Sequence, residues 1–209
     1  MGWPMSSNVI SPDLGGLEAA AARLRAGELV AFPTDTVYGV GAVCWDTHAV
    51  AKLYTAKLRS LDKAIPILLA DGEDLDLVTG SLPDSALRLA RHFWPGALTL
   101  VVPRGERVPH SVTSGGETVA VRIPDLALAR ELIRAAGAPL ATTSANVSGR
   151  APALTAGQVA DQLGPRIAMI LDGGICPGGV ASTVVDVTGP VPRILRAGPI
   201  TEDQILAVL

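Results

Sequence analysis

Leu29-Val30-Ala31-Phe32-Pro33-Thr34-Asp35-Thr36-Val37-Tyr38-Gly39-Val40-Gly41 is the stretch on which the fold turns. Four apolar residues end at a proline, a polar Thr-Asp-Thr run follows, and a glycine-containing segment closes the stretch, which reads as a buried strand feeding a turn. Upstream, residues 17–27 are alanine-rich and stop at Gly27, as a helix does when glycine takes the position beyond its last turn. Downstream, residues 48–59 carry Val50, Ala51, Leu53 and Tyr54 with Lys52, Lys57 and Arg59 interleaved, a helix with a cationic end. The alternation continues along the chain. Apolar runs at 65–70, 98–102, 119–123, 140–143, 168–171 and 184–187 predict buried strands. Helical stretches lie at 84–93, 126–136 and 155–163, and Thr201 begins a last helix with Glu202 and Asp203 in its first turn. The expected fold class is therefore α/β, with a mixed sheet flanked by helices.

Nothing divides the chain into separate units. Its 209 residues and 48% hydrophobic content suit one large domain with a sizeable core. A formal net charge of −3 gives no global positive field of the kind that holds nucleic acid through phosphates. Aromatics make up 3% of the chain, too few for base-stacking platforms. Cys44 and Cys176 lack CxxC spacing and read as buried thiols of a reducing compartment. Residues 1–12 carry no cationic segment followed by an apolar run, and no stretch approaches the roughly 18 apolar residues that span a bilayer, so the expectation is the cytoplasm and no membrane.

Several common chemistries are absent. None of the three lysines follows a glycine, which removes the GK[ST] phosphate loop, and Cys44 stands where a dinucleotide fingerprint starting at Gly39 would need its third glycine. His48, His92 and His110 form no HExxH motif, no serine sits in GxSxG, and no metal site is expected among the side chains.

What remains is a polar cluster and scattered cations. Residues 141–149, Ala-Thr-Thr-Ser-Ala-Asn-Val-Ser-Gly, place hydroxyls and an amide at the end of an apolar strand, where α/β proteins bind ligands. The same residues also suit a hydrogen-bonded turn. Lys57, Arg59, Lys63, Arg122 and Arg196 could oppose an anion there. Arg122 is the most informative of them. In Thr118-Val119-Ala120-Val121-Arg122-Ile123-Pro124 it alternates onto one face with Thr118 and Ala120, so it should face a polar surface, and its planar fork suits a carboxylate. Residues 173–179 hold four glycines and read either as a mobile loop or as a tight turn.

Seven blocks together resemble the YrdC-like threonylcarbamoyl-AMP synthases: Pro33-Thr34-Asp35-Thr36-Val37-Tyr38-Gly39, Lys57-x-Arg59, Trp94-Pro95-Gly96-x-x-Thr99, residues 119–124, Thr143-Ser144-Ala145-Asn146-x-Ser148-Gly149, Ser182-Thr183-Val184-x-Asp186 and Leu195-Arg196-x-Gly198. The resemblance implies residues 1–14 as an N-terminal extension and 15–209 as a YrdC-like catalytic domain of the short form. It further implies a twisted mixed sheet around a large concave cavity. The implied reaction joins L-threonine, bicarbonate and ATP into threonylcarbamoyl-AMP and pyrophosphate, for threonylcarbamoyladenosine modification of tRNA. Lys57, Arg59, Lys63, Thr118, Ser144, Asn146 and Arg196 would then contact ATP, with Lys57 and Arg59 also catalytic. Thr36, Arg122, Thr142 and Ser182 would contact L-threonine, and Mg²⁺ would arrive with ATP. The threonine carbamate would attack the α-phosphate, with catalysis by positioning and charge. The implied downstream partner is the tRNA threonylcarbamoyl transferase machinery, with weak direct RNA binding as a competing expectation and a carbamoyl-adenylate enzyme as another. Two positions depart from the family pattern: Ser60 stands for a common proline, and Leu68 where some relatives carry histidine.

Overall fold

The computed structural model describes residues 8–209. Ten strands form one mixed sheet: β1 (Val9–Ile10), β2 (Val30–Phe32), β3 (Gly39–Val43), β4 (Ile67–Leu68), β5 (Leu98–Pro103), β6 (Thr118–Arg122), β7 (Leu140–Ser144), β8 (Met169–Leu171), β9 (Thr183–Asp186) and β10 (Arg193–Arg196), in spatial order 1-8-2-3-7-4-6-5-9-10. The helices are α1 (Leu14–Arg25), α2 (Thr47–Lys57), α3 (Leu75–Val78), α4 (Asp84–Phe93), α5 (His110–Thr113), α6 (Ala127–Ala136), α7 (Ala156–Leu163) and α8 (Glu202–Leu206). The α/β expectation holds. Among the first fourteen residues, expected as an extension, residues 9–10 add an edge strand parallel to β8 and Leu14 opens α1; residues 1–7 lie outside the described part.

Two sequence readings change. Residues 39–43, read as part of a turn, are strand β3, hydrogen-bonded to β2 on one side and β7 on the other. Glycine is needed there for space. A Cβ on Gly39 would come 2.8 Å from Thr142 Cγ2, and one on Gly41 would come 2.9 Å from Thr142 Oγ1 and 3.2 Å from Phe32. β10 was not foreseen, because its four residues include two arginines and show no apolar run.

Paired residues in a sheet share a face, and alternate residues change face. One face therefore carries Val30, Phe32, Gly39, Gly41, Leu68, Thr99, Val101, Thr118, Ala120, Arg122, Leu140, Thr142, Ser144, Val184 and Asp186. The opposite face, with Val40, Ile67, Leu100, Val121, Ala141 and Val185, packs into a single apolar cluster with Val50 and Leu53 of α2, Leu89 of α4, Val159 of α7 and Ile205 of α8. The first face is covered only in part. Leu24 of α1 and Leu132 and Ile133 of α6 close over Val30, Phe32, Leu68, Leu140, Met169 and Leu171. Beyond them, along β5, β6, β9 and the end of β7, the residues on this face (Thr99, Val101, Thr118, Ala120, Arg122, Ser144, Val184 and Asp186) belong to neither cluster. Here the strands alternate. In β6, Thr118 and Ala120 are exposed or half-exposed while Val119 and Val121 are buried. In β5, Val101 and Pro103 are half-exposed while Leu100 and Val102 are buried. This uncovered part of the sheet is where the expected cavity should be sought.

Candidate active site

The loop between β2 and β3 borders the uncovered face. The Thr34 hydroxyl donates to the Val37 carbonyl (2.7 Å) and accepts from the backbone N–H groups of Thr36 and Val37 (3.2 and 3.3 Å). This side-chain turn fixes the peptide that carries Asp35 and Thr36. Arg122, the last residue of β6, reaches it. Its Nη1 donates to Thr36 Oγ1 at 2.9 Å, its Nη2 to Asp35 Oδ1 at 2.5 Å, and its Nε to the Gly96 carbonyl at 2.8 Å. Burial pulls the Arg122 pKa down and the Asp35 charge opposes that pull.

Arg196 and Ser182 complete this end of the face. Arg196 donates from Nε and Nη2 to the Ser182 carbonyl (3.0 and 2.8 Å) and from Nη2 to Ser182 Oγ (3.1 Å). Ser182 Oγ in turn shares a 2.7 Å hydrogen bond with Thr99 Oγ1. The Arg196 pKa is lowered by burial and then by the neighbouring Arg122 cation. Gly198 makes the approach feasible, since a Cβ there would lie 2.4 Å from the Thr183 nitrogen and 2.6 Å from the Ala181 oxygen.

At the other end of β6 stands Thr118, exposed. Four residues of strand separate it from Arg122, about 13 Å at the usual rise. Ser144 ends β7 on the same face, paired with Gly39. Thr142, two residues earlier, is buried between Gly39 and Gly41, and its hydroxyl donates to the Leu140 carbonyl at 3.2 Å.

The Lys57-x-Arg59 motif straddles the end of α2. Leu58 takes a left-handed conformation (φ 53), with its N–H on the Thr55 carbonyl and that of Arg59 on the Tyr54 carbonyl, the double bond pattern that ends many helices. Glycine usually fills that position, and leucine there bears some backbone strain. The turn sends the two cations in different directions. Arg59 lies over the following loop, donating from Nε to the Lys63 carbonyl (3.2 Å) and from Nη2 to the Ala64 carbonyl (2.9 Å). Ser60, at the departure from the family pattern, hydrogen-bonds Asp62 and holds that carboxylate below its usual range. The side chain of Lys63 is exposed.

Lys57, expected to contact ATP, is turned inward. It is 2% exposed, and its ammonium donates to the carbonyl oxygens of Ser144 and Asn146, the latter at 2.6 Å, with Asn146 Oδ1 at 3.5 Å. Burial, reinforced by Arg59, pushes its pKa down to about 7. The Asn146 amide is spent the same way, donating to the carbonyls of Val147 (3.0 Å) and Arg150 (2.7 Å). Both residues thus build the turn after β7. Ser144, half-buried at the end of β7, is what this segment presents to the open face.

The sequence cations therefore sort by partner. Arg122 carries a carboxylate, whereas no carboxylate lies within ion-pair distance of Arg59, Lys63 or Arg196 among the described residues. Asp35 and Thr99 were not singled out from sequence, although both lie inside the quoted blocks; a buried Arg122 in need of a counter-charge was the available signal for Asp35. No group of three or more His, Cys, Asp or Glu able to hold a metal occurs among the described residues, so the side chains offer Mg²⁺ no cage of their own. Leu68, at the other family departure, lies under α6 in the covered part of the face. Residues 173–179 are pinned rather than loose: Gly179 N–H donates to the Thr36 carbonyl (2.9 Å), Cys176 N–H to the Leu154 carbonyl (3.0 Å), and Tyr38 Oη to the Gly174 carbonyl (2.9 Å). A hollow of about 670 Å³ between Glu28, His48, Lys52 and Arg166 lies apart from all of this. Its cations already serve backbone carbonyls, Lys52 that of Gly27 and Arg166 that of Ala56.

Known proteins share this arrangement. Residues 22–198, which include every candidate site residue, match the family model of the Sua5, YciO and YrdC proteins, described as "Telomere recombination". A Bacillus subtilis relative named threonylcarbamoyl-AMP synthase is 48% identical over 91% of this chain and 55% of its own length. A Mycobacterium tuberculosis relative is 42% identical over 93% of this chain and 89% of its own. The crystal structure of Pyrococcus abyssi Sua5 complexed with L-threonine superposes with a TM-score of 0.94 at 40% identity, covering 96% of this chain and 60% of that one. The chain thus spans little more than half the length of some of the relatives it matches. No helix among the described residues is long and apolar enough to cross a membrane. A family model matched over most of the chain, relatives above 40% identity and a superposable fold agree: the chain belongs to the Sua5/YciO/YrdC family.

Proposed function

We propose that the protein is a threonylcarbamoyl-AMP synthase, forming threonylcarbamoyl-AMP and pyrophosphate from L-threonine, bicarbonate and Mg·ATP. The observation that carries this reading is the sheet face with two groups of cationic and hydroxyl side chains on it. Arg122, Thr36, Ser182 and Arg196 stand at one end, and Thr118 and Ser144, with Lys63 and Arg59 on the adjoining loop, stand at the other. A carboxylate held at the first end and a triphosphate at the second would meet along β6. Family membership and the threonine complex of the Pyrococcus abyssi relative support L-threonine as a substrate.

The chemistry joins two anions, a carbamate and a triphosphate, so it needs cations more than it needs a base. Arg59, Lys63 and Arg196, with no carboxylate partner, would lower the repulsion and stabilise charge gathering on the pyrophosphate. Lys57 would act one step removed, fixing the Ser144–Asn146 turn so that the Ser144 hydroxyl can meet phosphate oxygens. The Mg²⁺ would enter on the nucleotide as part of the substrate. Threonine hydroxyl and carboxylate would find Thr36, Ser182 and Arg122, with Thr142 shaping the floor. The product would be handed to the enzymes that threonylcarbamoylate tRNA, in the cytoplasm, where two buried free thiols are at home.

The test is substrate substitution. Pyrophosphate release should require both L-threonine and bicarbonate, and carbamoyl phosphate in their place should give none. Release driven by carbamoyl phosphate would move the protein to carbamoyl-adenylate chemistry.

A further inference from the structure

We propose that Asp35 selects for the zwitterionic amino acid: binding exchanges the Asp35–Arg122 ion pair for two new ones, substrate carboxylate on Arg122 and substrate ammonium on Asp35. The proposal rests on the threonine end of the face as read above.

Three features point there. First, each nitrogen of the Arg122 guanidinium already has a partner, Asp35 on Nη2, Thr36 on Nη1 and the Gly96 carbonyl on Nε, which leaves one N–H on each Nη. A substrate carboxylate that settles on the guanidinium therefore meets Asp35 at Nη2 and competes with it there. Second, both partners are nearly buried, their side chains 7% and 13% exposed. A buried charge that loses its partner without a replacement is strongly unfavourable. A ligand carrying only a carboxylate would strand Asp35, and one carrying only an ammonium would strand Arg122. A zwitterion leaves every charge paired. Third, the backbone that carries Asp35 has little room to retreat. Gly178 packs behind it so closely that a Cβ there would lie 2.5 Å from the Asp35 carbonyl oxygen, and the Gly179 N–H holds the Thr36 carbonyl at 2.9 Å. With that backbone fixed, the short Asp35 side chain stays within reach of an amine bound beside Arg122. Arg196, adjacent to Arg122 and without a carboxylate of its own among the described residues, adds to the pull on the substrate carboxylate. Asp35 is in this sense a specificity residue. It would hold the nitrogen that must become a carbamate, and reject hydroxy acids that offer a carboxylate alone.

The proposal is tested by calorimetric binding to the intact protein of three probes: L-threonine, its hydroxy-acid counterpart dihydroxybutyrate, which lacks the amine, and threoninol, which lacks the carboxylate. In the wild type both truncated probes should bind at least about tenfold more weakly than threonine. In Asp35→Asn, threonine should weaken by about tenfold or more while dihydroxybutyrate holds its affinity or gains, because Arg122 is no longer contested. A purely structural loss would weaken both alike. Dihydroxybutyrate binding the wild type as tightly as threonine overturns the proposal, and so does unaltered discrimination in Asp35→Asn. If Asp35→Asn fails to fold, the wild-type comparison decides by itself. Failure of the wild type to bind threonine at all would overturn the functional reading and this proposal with it, whereas threonine binding with no preference for the zwitterion overturns this proposal alone.

Discussion

The Lys57 ammonium lies 2.6 Å from the carbonyl oxygen of Asn146, buried beneath the turn that ends β7. A cation that reads in sequence as a phosphate ligand is thus fastened to backbone, and it orders the segment bearing Ser144. Lys57→Met keeps the length and removes the donor, leaving the Asn146 carbonyl without a partner and the Ser144 carbonyl with only the Asn146 N–H. An unfolding free energy lower by about 1–3 kcal/mol is expected, the usual penalty for orphaned buried acceptors. In kinetics, the KM for ATP should rise more than the KM for threonine. Unchanged melting and an unchanged ATP KM would remove Lys57 from this role.

The same burial sets a pH dependence. Burial holds the Lys57 pKa at about 7 in the folded protein, against 10.5 for an ordinary lysine. Between these values the unfolded chain binds a proton that the folded chain does not, so this group makes stability rise with pH, by at most about 1.4 kcal/mol per unit. Its cost is fully present below pH 7. The stability of wild type relative to Lys57→Met should therefore grow between pH 7 and pH 10, measured by denaturant unfolding at several pH values; a flat difference would contradict the burial of a titrating amine.

Arg122 should not tolerate lysine. Arg122→Lys keeps the charge but cannot satisfy Gly96, Thr36 and Asp35 at once. The threonine KM should increase by about tenfold or more with the ATP KM nearly unchanged, as steady-state pyrophosphate release would report. Equal effects on both substrates would remove Arg122 from the amino-acid end.

Gly198 allows β10 to lie against the start of β9. Gly198→Ala would drive a methyl into the Thr183 nitrogen and the Ala181 oxygen, both backbone, so the segment carrying Arg196 must shift away from Ser182. A loss of about 1–3 kcal/mol in stability is expected from the overpacking, together with a fall in activity. Wild-type melting and turnover would show that the close approach is dispensable.

Much of the layout was legible because burial leaves a mark on composition. Strands covered on both faces, such as Val30–Phe32, read as unbroken apolar runs, whereas the alternation in Thr118–Arg122 marked the one face left open. Helix ends were legible where side chains cap them, as Thr201 does for α8 with its reciprocal Gln204 bonds. β3 was missed because its glycines are there for Thr142 and Phe32, contacts that exist only once β7 and β2 flank it. β10 was missed because it is an edge strand whose arginines serve the site. In the site itself, Arg122 and Thr36 came together as read. The inward turn of Lys57 has its own mark: with Val50, Leu53 and Tyr54 it falls on the i, i+3, i+4, i+7 face that α2 buries. Asp35 was hidden: sequence shows the charge, and only the fold shows which cation it faces.

If one open sheet face brings a threonine carbamate onto the α-phosphate of ATP, the nucleotide product carries the evidence. The decisive measurement is mass spectrometry of that product after incubating the protein with Mg·ATP, L-threonine and ¹³C-bicarbonate. An AMP conjugate containing threonine and a single labelled carbon is expected, formed together with pyrophosphate and abolished by omitting threonine. Pyrophosphate released without threonine, or an AMP conjugate without the label, would contradict it.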